Sequence, residues 1–555
     1  MPTLSYDKKD LVSLVGKKLS DEELEEIINL IKPQVEEIGK DEIRIEHCAD
    51  RPDLFGIEGL ARTIRSYLGI EKGLKKFLVE GARISVKVEP VKIRPYIACA
   101  IIRNFKLTSE TIKSLMNIQE VLHETLGRKR EKVAIGIHDL DKIEPPIKYT
   151  AVSRSEKFIP LGCKVEMSLE EVLEKTEKGR KYGYIIKDSK LWPVYIDSEG
   201  IFSFPPIINS DRTRVTEKTR NLFVEVTGIE KKALLQTLNI LVTNFAERKC
   251  KIEAVKIKYP GKTEVIPELK EEVIQVDPKK VNELIGLNLS VSEMIELLER
   301  MGYDATLIKG KLQVIIPCYR VDILHAVDII EDVAIAYGYN NLIPEFANVA
   351  TTGKPLALEK LCAKVRQLMI GFGFQEILRP VLTNPRDHFE RMNLEASEII
   401  EIENFVSEEY TCLRKWLIPS LLKVLAANKH VEYPQKLFEI GDVVIPDKKE
   451  ETMSKNLRKL ACVISHSKAS FSEIKSVVES FLRNLGVDYR IKEFRHPSFI
   501  EGRVAKVVVN RKEIGFFGEI SPLVLERWEL EMPVSAFEIN LEEIESLKSP
   551  NHPVY

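Results

Sequence analysis

Four carboxylates crowd one short stretch of the chain, PCYRVDILHAVDIIED from Pro317 to Asp332. Asp328, Glu331 and Asp332 stand at i, i+3 and i+4 of a helix expected from about Leu324 to Tyr337, so their carboxylates share a face, and Asp322 lies just before its first turn. Four like charges so placed repel one another unless a cation joins them. Magnesium favours such oxygen-only sites while keeping part of its water shell. The same pattern suits a solvated acidic face near a helix N-terminus, where negative charge is favoured, and spacing alone leaves both readings open.

A second constellation surrounds the strand-like run NLFVEVT. Alternation puts Asn221, Glu225 and Thr227 on one face, opposite Leu222, Val224 and Val226. Asn209, Ser210 and Thr219 come from the segment before it, while His138 and Asp139 follow another strand-like run, Val133 to Ile137, and could reach the same place. The polar face is a candidate pocket wall; the alternative is a half-buried strand with ordinary turn residues, His138 among them. None of these side chains is an obvious nucleophile, so chemistry here would run through an oriented water.

The elements that must position these groups follow from periodicity. A small α+β unit opens the chain, with a helical stripe at Leu24, Ile27, Ile28 and Ile31, a strand at Glu42 to Glu46, a turn at Asp50 to Asp53 and a helix from Gly56 to Leu68. From about Ile84 to Ile257 strand-like runs, one of them Tyr184 to Ile186, alternate with helical ones such as Leu234, Leu238, Leu241, Val242 and Phe245. The charged stretch Glu264 to Glu272 reads as a linker. Further on come a helix at Ser292 to Arg300, a strand at Leu312 to Ile316, and Gly338 as a helix stop. From about Pro355 the chain gives a helix at Leu358 to Ile370, a hairpin of Val504 to Val509 with Ile514 to Ile520, a helix after Ser521-Pro522 and a strand at Ser535 to Leu541.

At 555 residues the chain needs several domains, and an apolar share of 44% is ample for packed cores. A net charge of −2 argues against indiscriminate adhesion to nucleic acid or anionic membrane, so RNA contact would need local patches such as Arg128 to Lys132 or Arg248 to Lys262. Eight scattered cysteines give neither zinc-ligand spacing nor a disulfide framework, which fits a reducing cytoplasm. The N-terminus lacks a signal-peptide core and no apolar run has membrane-span length, so a soluble, cytoplasmic protein is expected.

Four strings, in order, resemble one family. EIRIEHCADRPDLFGIEGLARTIRSYLG is similar to the first module of phenylalanyl-tRNA synthetase β subunits of the short archaeal and eukaryotic-cytosolic type; GRKREKVAIGIHDLDKI and FPPIINSDRTRVTEKTRNLFVEVTG resemble the opening and pocket wall of the editing domain; PCYRVDILHAVDIIEDVAIAYGYNN resembles the helical, metal-holding module. The C-terminal part resembles a class II synthetase core, an antiparallel sheet flanked by helices. Active members carry an Arg in the second class motif that grips the ATP α-phosphate. This chain has Ile445 there, and Gly515 to Pro522 lacks the Gly-rich stretch followed by Arg of the third motif.

The resemblance implies an α/β and α+β multidomain chain: an N-terminal α+β module at 1–83, an α/β editing domain at 84–265, a helical metal-holding module at 270–346 and a catalytically degenerate class II core at 350–555. It implies an α subunit as partner, two of each, with ATP and phenylalanine bound on α, phenylalanine tRNA as shared substrate, and magnesium held by Asp322, Asp328, Glu331 and Asp332 at the subunit contact. The editing pocket would hydrolyse tyrosyl-tRNA using Glu225, Asn221, Thr227, Thr219, Asn209, Ser210 and His138. Little chain follows the last core strand, so anticodon contacts are expected from elsewhere. A self-sufficient synthetase and a free-standing deacylase are the rival readings; the missing motif Arg argues against the first.

Overall fold

The computed structural model describes residues 2–547, and the chain divides into two compact units, 1–346 and 347–555. Among the described residues the first unit holds three main sheets and a two-stranded pair, Lys157–Phe158 with Met167–Ser168. In the smallest N-terminal one, Glu42–Glu46 lies between Thr3–Asp7 and Gln34–Ile38, antiparallel to both. Its helix Asp21–Leu30 starts with a reciprocal capping box between Ser20 and Glu23 and buries Leu24 and Ile28, the expected stripe. The Asp50 to Asp53 turn is a short 3₁₀ turn, Pro52–Leu54, leading into the almost fully buried helix Ile57–Tyr67.

The large sheet carries the candidate pocket. Its central strands run Trp192–Asp197, Ile147–Val152, Val79–Val88, Lys251–Tyr259, Tyr96–Arg103, Leu222–Gly228 and Val133–Asp139, with Val79–Val88 parallel to both neighbours and the other pairs antiparallel. Gly200–Phe204 and Ile208–Asn209 extend one edge. The helix Lys231–Ala246 buries Leu234, Leu238, Leu241, Val242 and Phe245 against this sheet, as periodicity predicts.

Two local expectations fail. Tyr184 to Ile186 is not a strand but part of a 3₁₀ turn, Gly183–Ile185, because three apolar residues cannot distinguish a strand from a turn seated on a core. The expected linker is shorter than Glu264 to Glu272: its ends belong to strands, Lys262–Ile266 pairing with Lys251–Tyr259 and Glu272–Val276 with Lys311–Ile316, and only 267–271 connects them without regular structure.

The third sheet, Glu272–Val276, Lys311–Ile316 and Asp304–Ile308, packs with helices Pro278–Ile285, Val291–Arg300 and Ala326–Tyr337. It does not own a separate core. Ile43, Ile45, Leu60 and Ile64 of the N-terminal module pack in one cluster with Leu298, Leu312, Ile329 and Val333. Gly338, at φ 94°, ends the last helix in a conformation that β-carbon sterics disfavour for other residues.

The second unit is a seven-stranded sheet ordered Gln375–Glu376, Gln435–Pro446, Ser454–Ser465, Val534–Asn540, Lys512–Ile520, Phe499–Val509, Arg490–Glu493. All neighbours are antiparallel except the first pair. Alternation sends Phe438, Ile440, Leu460 and Cys462 to the face covered by helices Ala357–Gly371 and Phe471–Asn484, and Leu437, Val443, Ala461 and Val463 to the face covered by Ile418–Ala427 and Pro522–Arg527.

Candidate functional site

Glu225 sits mid-strand, between Tyr96–Arg103 and Val133–Asp139, and its carboxylate enters a cavity of about 240 Å³ at 2% exposure. The walls are mostly apolar, including Leu115, Ile135, Ile137, Phe204 and Ile207. Ser203 Oγ donates to Glu225 Oε1 at 2.8 Å, whereas Oε2 is buried without a partner among the described residues. His138 Nε2, also buried and unpartnered, lies 3.8 Å from Oε1, and its Nδ1 shares a hydrogen bond of 2.9 Å with Thr213 Oγ1. Gly136 stands directly opposite Glu225 in register; a Cβ there would overlap Oε1 and lie 2.9 Å from His138 Nε2. Glycine is what lets the carboxylate and the imidazole share this space.

Of the other expected pocket residues, Asn209 and Ser210 line the cavity, Asn209 Nδ2 donating to Ile137 O at 3.3 Å and Ser210 Oγ to Ile159 O at 3.0 Å. Asn221, Thr219, Thr227 and His138 are not in its wall. Asn221 donates to Asp141 at 3.0 Å, Thr219 to Asp139 at 2.7 Å, and Thr227 accepts from Arg94 at 3.2 Å. The reason is strand geometry: alternate residues share a face but lie roughly 7 Å apart, and Phe223, fully buried, stands between Asn221 and Glu225. The structure adds Ser203, Thr213 and Arg130. Arg130 donates to Pro206 O at 3.1 Å and Ile207 O at 2.9 Å and pairs with Glu120 at 2.8 Å, fixing the wall formed by Phe204 to Ile207. Ser203 could have been noticed as the one polar residue in the run Ile201 to Phe204.

The acidic quartet is arranged differently from the expected convergence. Arg320 Nη2 bridges Asp322 and Asp332, at 2.7 and 2.6 Å, and Tyr303 also donates to Asp332. Asp328 accepts from the backbone of Leu324 and His325, each at 2.7 Å, as a helix cap, and Glu331 pairs with Lys32 at 2.9 Å. Burial works to raise the Asp322 carboxyl, but Arg320 and, beyond it, Arg51 together bring it down to about 2. Among the described residues no three His, Cys, Asp or Glu are grouped to hold a metal. All four groups are carboxylates, the donor type a hard divalent cation takes, and Asp332 Oδ1 is buried without a partner among the described residues, while Arg320 and Lys32 already neutralise three of the four and Asp328 caps the helix.

Comparison with known proteins places both features. Residues 92–257, which hold the cavity, match the family model for the B3/4 domain; residues 274–339, which hold the acidic helix, match the tRNA synthetase B5 domain; and residues 343–541 match the phenylalanyl-tRNA synthetase β chain CLM domain. The phenylalanine–tRNA ligase β subunit of Methanocaldococcus jannaschii is 45% identical over 98% of this chain and 100% of its own length, and that of Thermococcus gammatolerans 44% identical over 98% of each. The chain belongs to the phenylalanine–tRNA ligase β-subunit family. An N-terminal fragment of the Pyrococcus horikoshii phenylalanyl-tRNA synthetase β subunit superposes with a TM-score of 0.59 at 42% identity, covering 60% of this chain and 99% of the fragment.

As a β subunit of phenylalanine–tRNA ligase, EC 6.1.1.20, the chain is one part of a complex whose other part is an α subunit. No helix among its described residues is long and apolar enough to cross a membrane. In the seven-stranded sheet Ile445 is half-buried on the strand Gln435–Pro446, opposite Lys455. The neighbouring charges pair with one another: Arg414 Nη2 with Glu439 at 2.7 Å and Lys459 with Glu538 at 2.8 Å, while Glu538 also accepts from the backbone of Leu417 at 2.7 Å.

Proposed function

We propose that residues 84–265 of this β subunit hydrolyse tyrosine wrongly attached to the phenylalanine tRNA. The observation that carries this is the buried Glu225 Oε2, which has no partner among the described residues in a mostly apolar cavity. A carboxylate oxygen so placed is costly unless a donor reaches it. The phenolic hydroxyl of tyrosine is such a donor; the ring of phenylalanine would fill the same space and leave the oxygen bare. A synthetic pocket built for phenylalanine rejects an added hydroxyl by only about a hundredfold, whereas a pocket that requires the hydroxyl discriminates by roughly ten-thousandfold or more. Asn209 and Ser210 at the wall place the ester, and an oriented water adds to its carbonyl, releasing tyrosine and the free tRNA 3′ end. His138 stands behind Glu225, outside the cavity wall, and backs its carboxylate. The assay is deacylation of tyrosyl-tRNA by the assembled enzyme, and charging that stays error-free with this cavity blocked would refute the reading.

Aminoacylation belongs to the α subunit, with ATP and phenylalanine bound there, and residues 350–555 serve as its packing partner in an assembly of two α and two β. The support is Ile445, which cannot hold a phosphate. The purified chain is therefore expected to give no ATP–pyrophosphate exchange without α. Exchange by the chain alone would mean that it carries a nucleotide site of its own.

Magnesium held by Asp322, Asp328, Glu331 and Asp332 belongs to the same reading, with residues 270–346 and the 1–83 module presenting this edge to the α subunit. When bound, the ion would supply positive charge to an acidic edge. Replacing Asp328 by Asn and Glu331 by Gln together is expected to weaken magnesium binding by at least tenfold and to loosen subunit association, since both changes remove ligand charge. Native mass spectrometry and magnesium titration check this; normal assembly with unchanged magnesium affinity would leave Asp328 as a helix cap and Glu331 as the partner of Lys32.

A further inference from the structure

Arg51, Arg62 and Arg320 reach from three separate segments, the turn before Pro52–Leu54, the helix Ile57–Tyr67 and the turn after Lys311–Ile316, into one small cavity. All three are more than nine-tenths buried, at 2, 4 and 6% exposure. Each has a carboxylate: Arg51 pairs with Asp53 at 2.8 Å, Arg320 with Asp322 and Asp332, and Arg62 with Glu247 at 3.4 Å. These pairs do not use up the donors. Arg51 Nη1, Arg62 Nε and Nη2, and Arg320 Nη1 are all buried without an acceptor among the described residues. Tyr319, whose ring lies 3.7 Å from the Arg62 guanidinium, offers a π-face to that group and no acceptor along those N–H directions. Glu71 and Lys75, also on the cavity wall, pair with each other at 2.9 Å.

A guanidinium is always charged and can only donate. Buried polar atoms left unpaired in a native protein point to a water or ion between them. The cavity, about 10 Å³, has room for one body the size of a water molecule. A single water accepts two hydrogen bonds, fewer than the four unpaired nitrogens present. A monatomic anion accepts from every direction and also offsets the repulsion between Arg51 and Arg320, which face each other closely enough for Arg320 to oppose the Arg51 charge. We infer that this cavity binds one monatomic anion such as chloride, the three arginine side chains giving way by the few tenths of an ångström by which it exceeds a water, and that the ion joins the N-terminal module to the 270–346 module. The site is independent of the tRNA chemistry proposed above.

The test uses crystals of the full chain assembled with its α partner, soaked in sodium bromide and measured at the bromine absorption edge. An anomalous peak at hydrogen-bonding distance from Arg51, Arg62 and Arg320 is expected; water density there without anomalous signal would overturn the inference. In solution, chloride in place of gluconate at equal ionic strength is expected to raise the melting temperature of the full chain by about 2 °C through linkage, and to lose that effect in Arg62→Met. An equal chloride shift in parent and variant would also overturn it, because the halide would then act elsewhere. The bromide experiment on the unaltered protein stands even if Arg62→Met does not fold.

Discussion

Replacing Glu225 by alanine is expected to slow tyrosyl-tRNA deacylation by the assembled enzyme about 10- to 150-fold, the range that corresponds to losing one hydrogen bond to a charged group, about 1.5–3 kcal/mol. Phenylalanylation, which the proposed function assigns to the α subunit, should change by less than about twofold. Glu225→Gln sharpens the test. The amide keeps the volume and can still accept from Ser203, but it removes the unpaired carboxylate oxygen that opposes a phenylalanine ring. Its expected effect is therefore a rise in phenylalanyl-tRNA deacylation alongside the fall for tyrosyl-tRNA. Neither variant should lower the melting temperature, because removing a buried, incompletely paired charge is neutral or stabilising. A loss of both activities together with a lower melting temperature would assign Glu225 to the fold instead, and unchanged deacylation in both variants would move the tyrosine-binding site elsewhere.

Much of the fold was legible because its signals are local. Ser290 and Glu293 form a capping box at the start of Val291–Arg300, Gly338 stops the helix it was expected to stop, and the hairpin at Phe499–Val509 and Lys512–Ile520 forms around its alternating Val and Ile residues. The candidate site was legible only as far as its information was local. Alternation correctly turns Glu225 inward from a strand, but it cannot say that Asn221 lies too far along that strand to share a cavity with it. The quartet shows the same limit. Helical spacing groups Asp328, Glu331 and Asp332, yet their partners come from outside the helix: Lys32 from a loop 299 positions away, Arg320 from the preceding turn and Tyr303 from another strand's approach. The Ser203 contact with Glu225 spans two strands that are not neighbours in the sheet, so no pairwise reading of sequence could have found it.

In the synthetase-like unit the largest stability effect is expected at Arg414. Arg414 and Glu439 are at most 1% exposed, paired at 2.7 Å, and Arg414 Nε also donates to Asp442 O at 3.0 Å. Gly441 leaves the room for this arrangement, since a Cβ there would overlap Arg414 Nη2. Arg414→Met strands the Glu439 carboxylate in an apolar sheet, and breaking a buried pair from one side costs about 3–5 kcal/mol. Burial already holds the Glu439 carboxyl above its ordinary range, with Arg414 the main counterweight, so removing Arg414 raises it further. A carboxyl whose folded value exceeds its unfolded one binds more protons in the folded state, so its contribution to stability falls as pH rises through the interval between the two values and is restored as pH falls. The variant should therefore be nearer to the parent at pH 5 than at pH 8. Adding Glu439→Leu removes the stranded charge and should recover most of the loss, as an apolar pair of similar volume often equals a buried ion pair. The measurement is amide hydrogen exchange of the strands Gln435–Pro446 and Ser454–Ser465, comparing each variant with the parent at each pH. Protection in Arg414→Met equal to the parent at pH 8 would show that water reaches Glu439 and that the pair contributes little to holding the sheet.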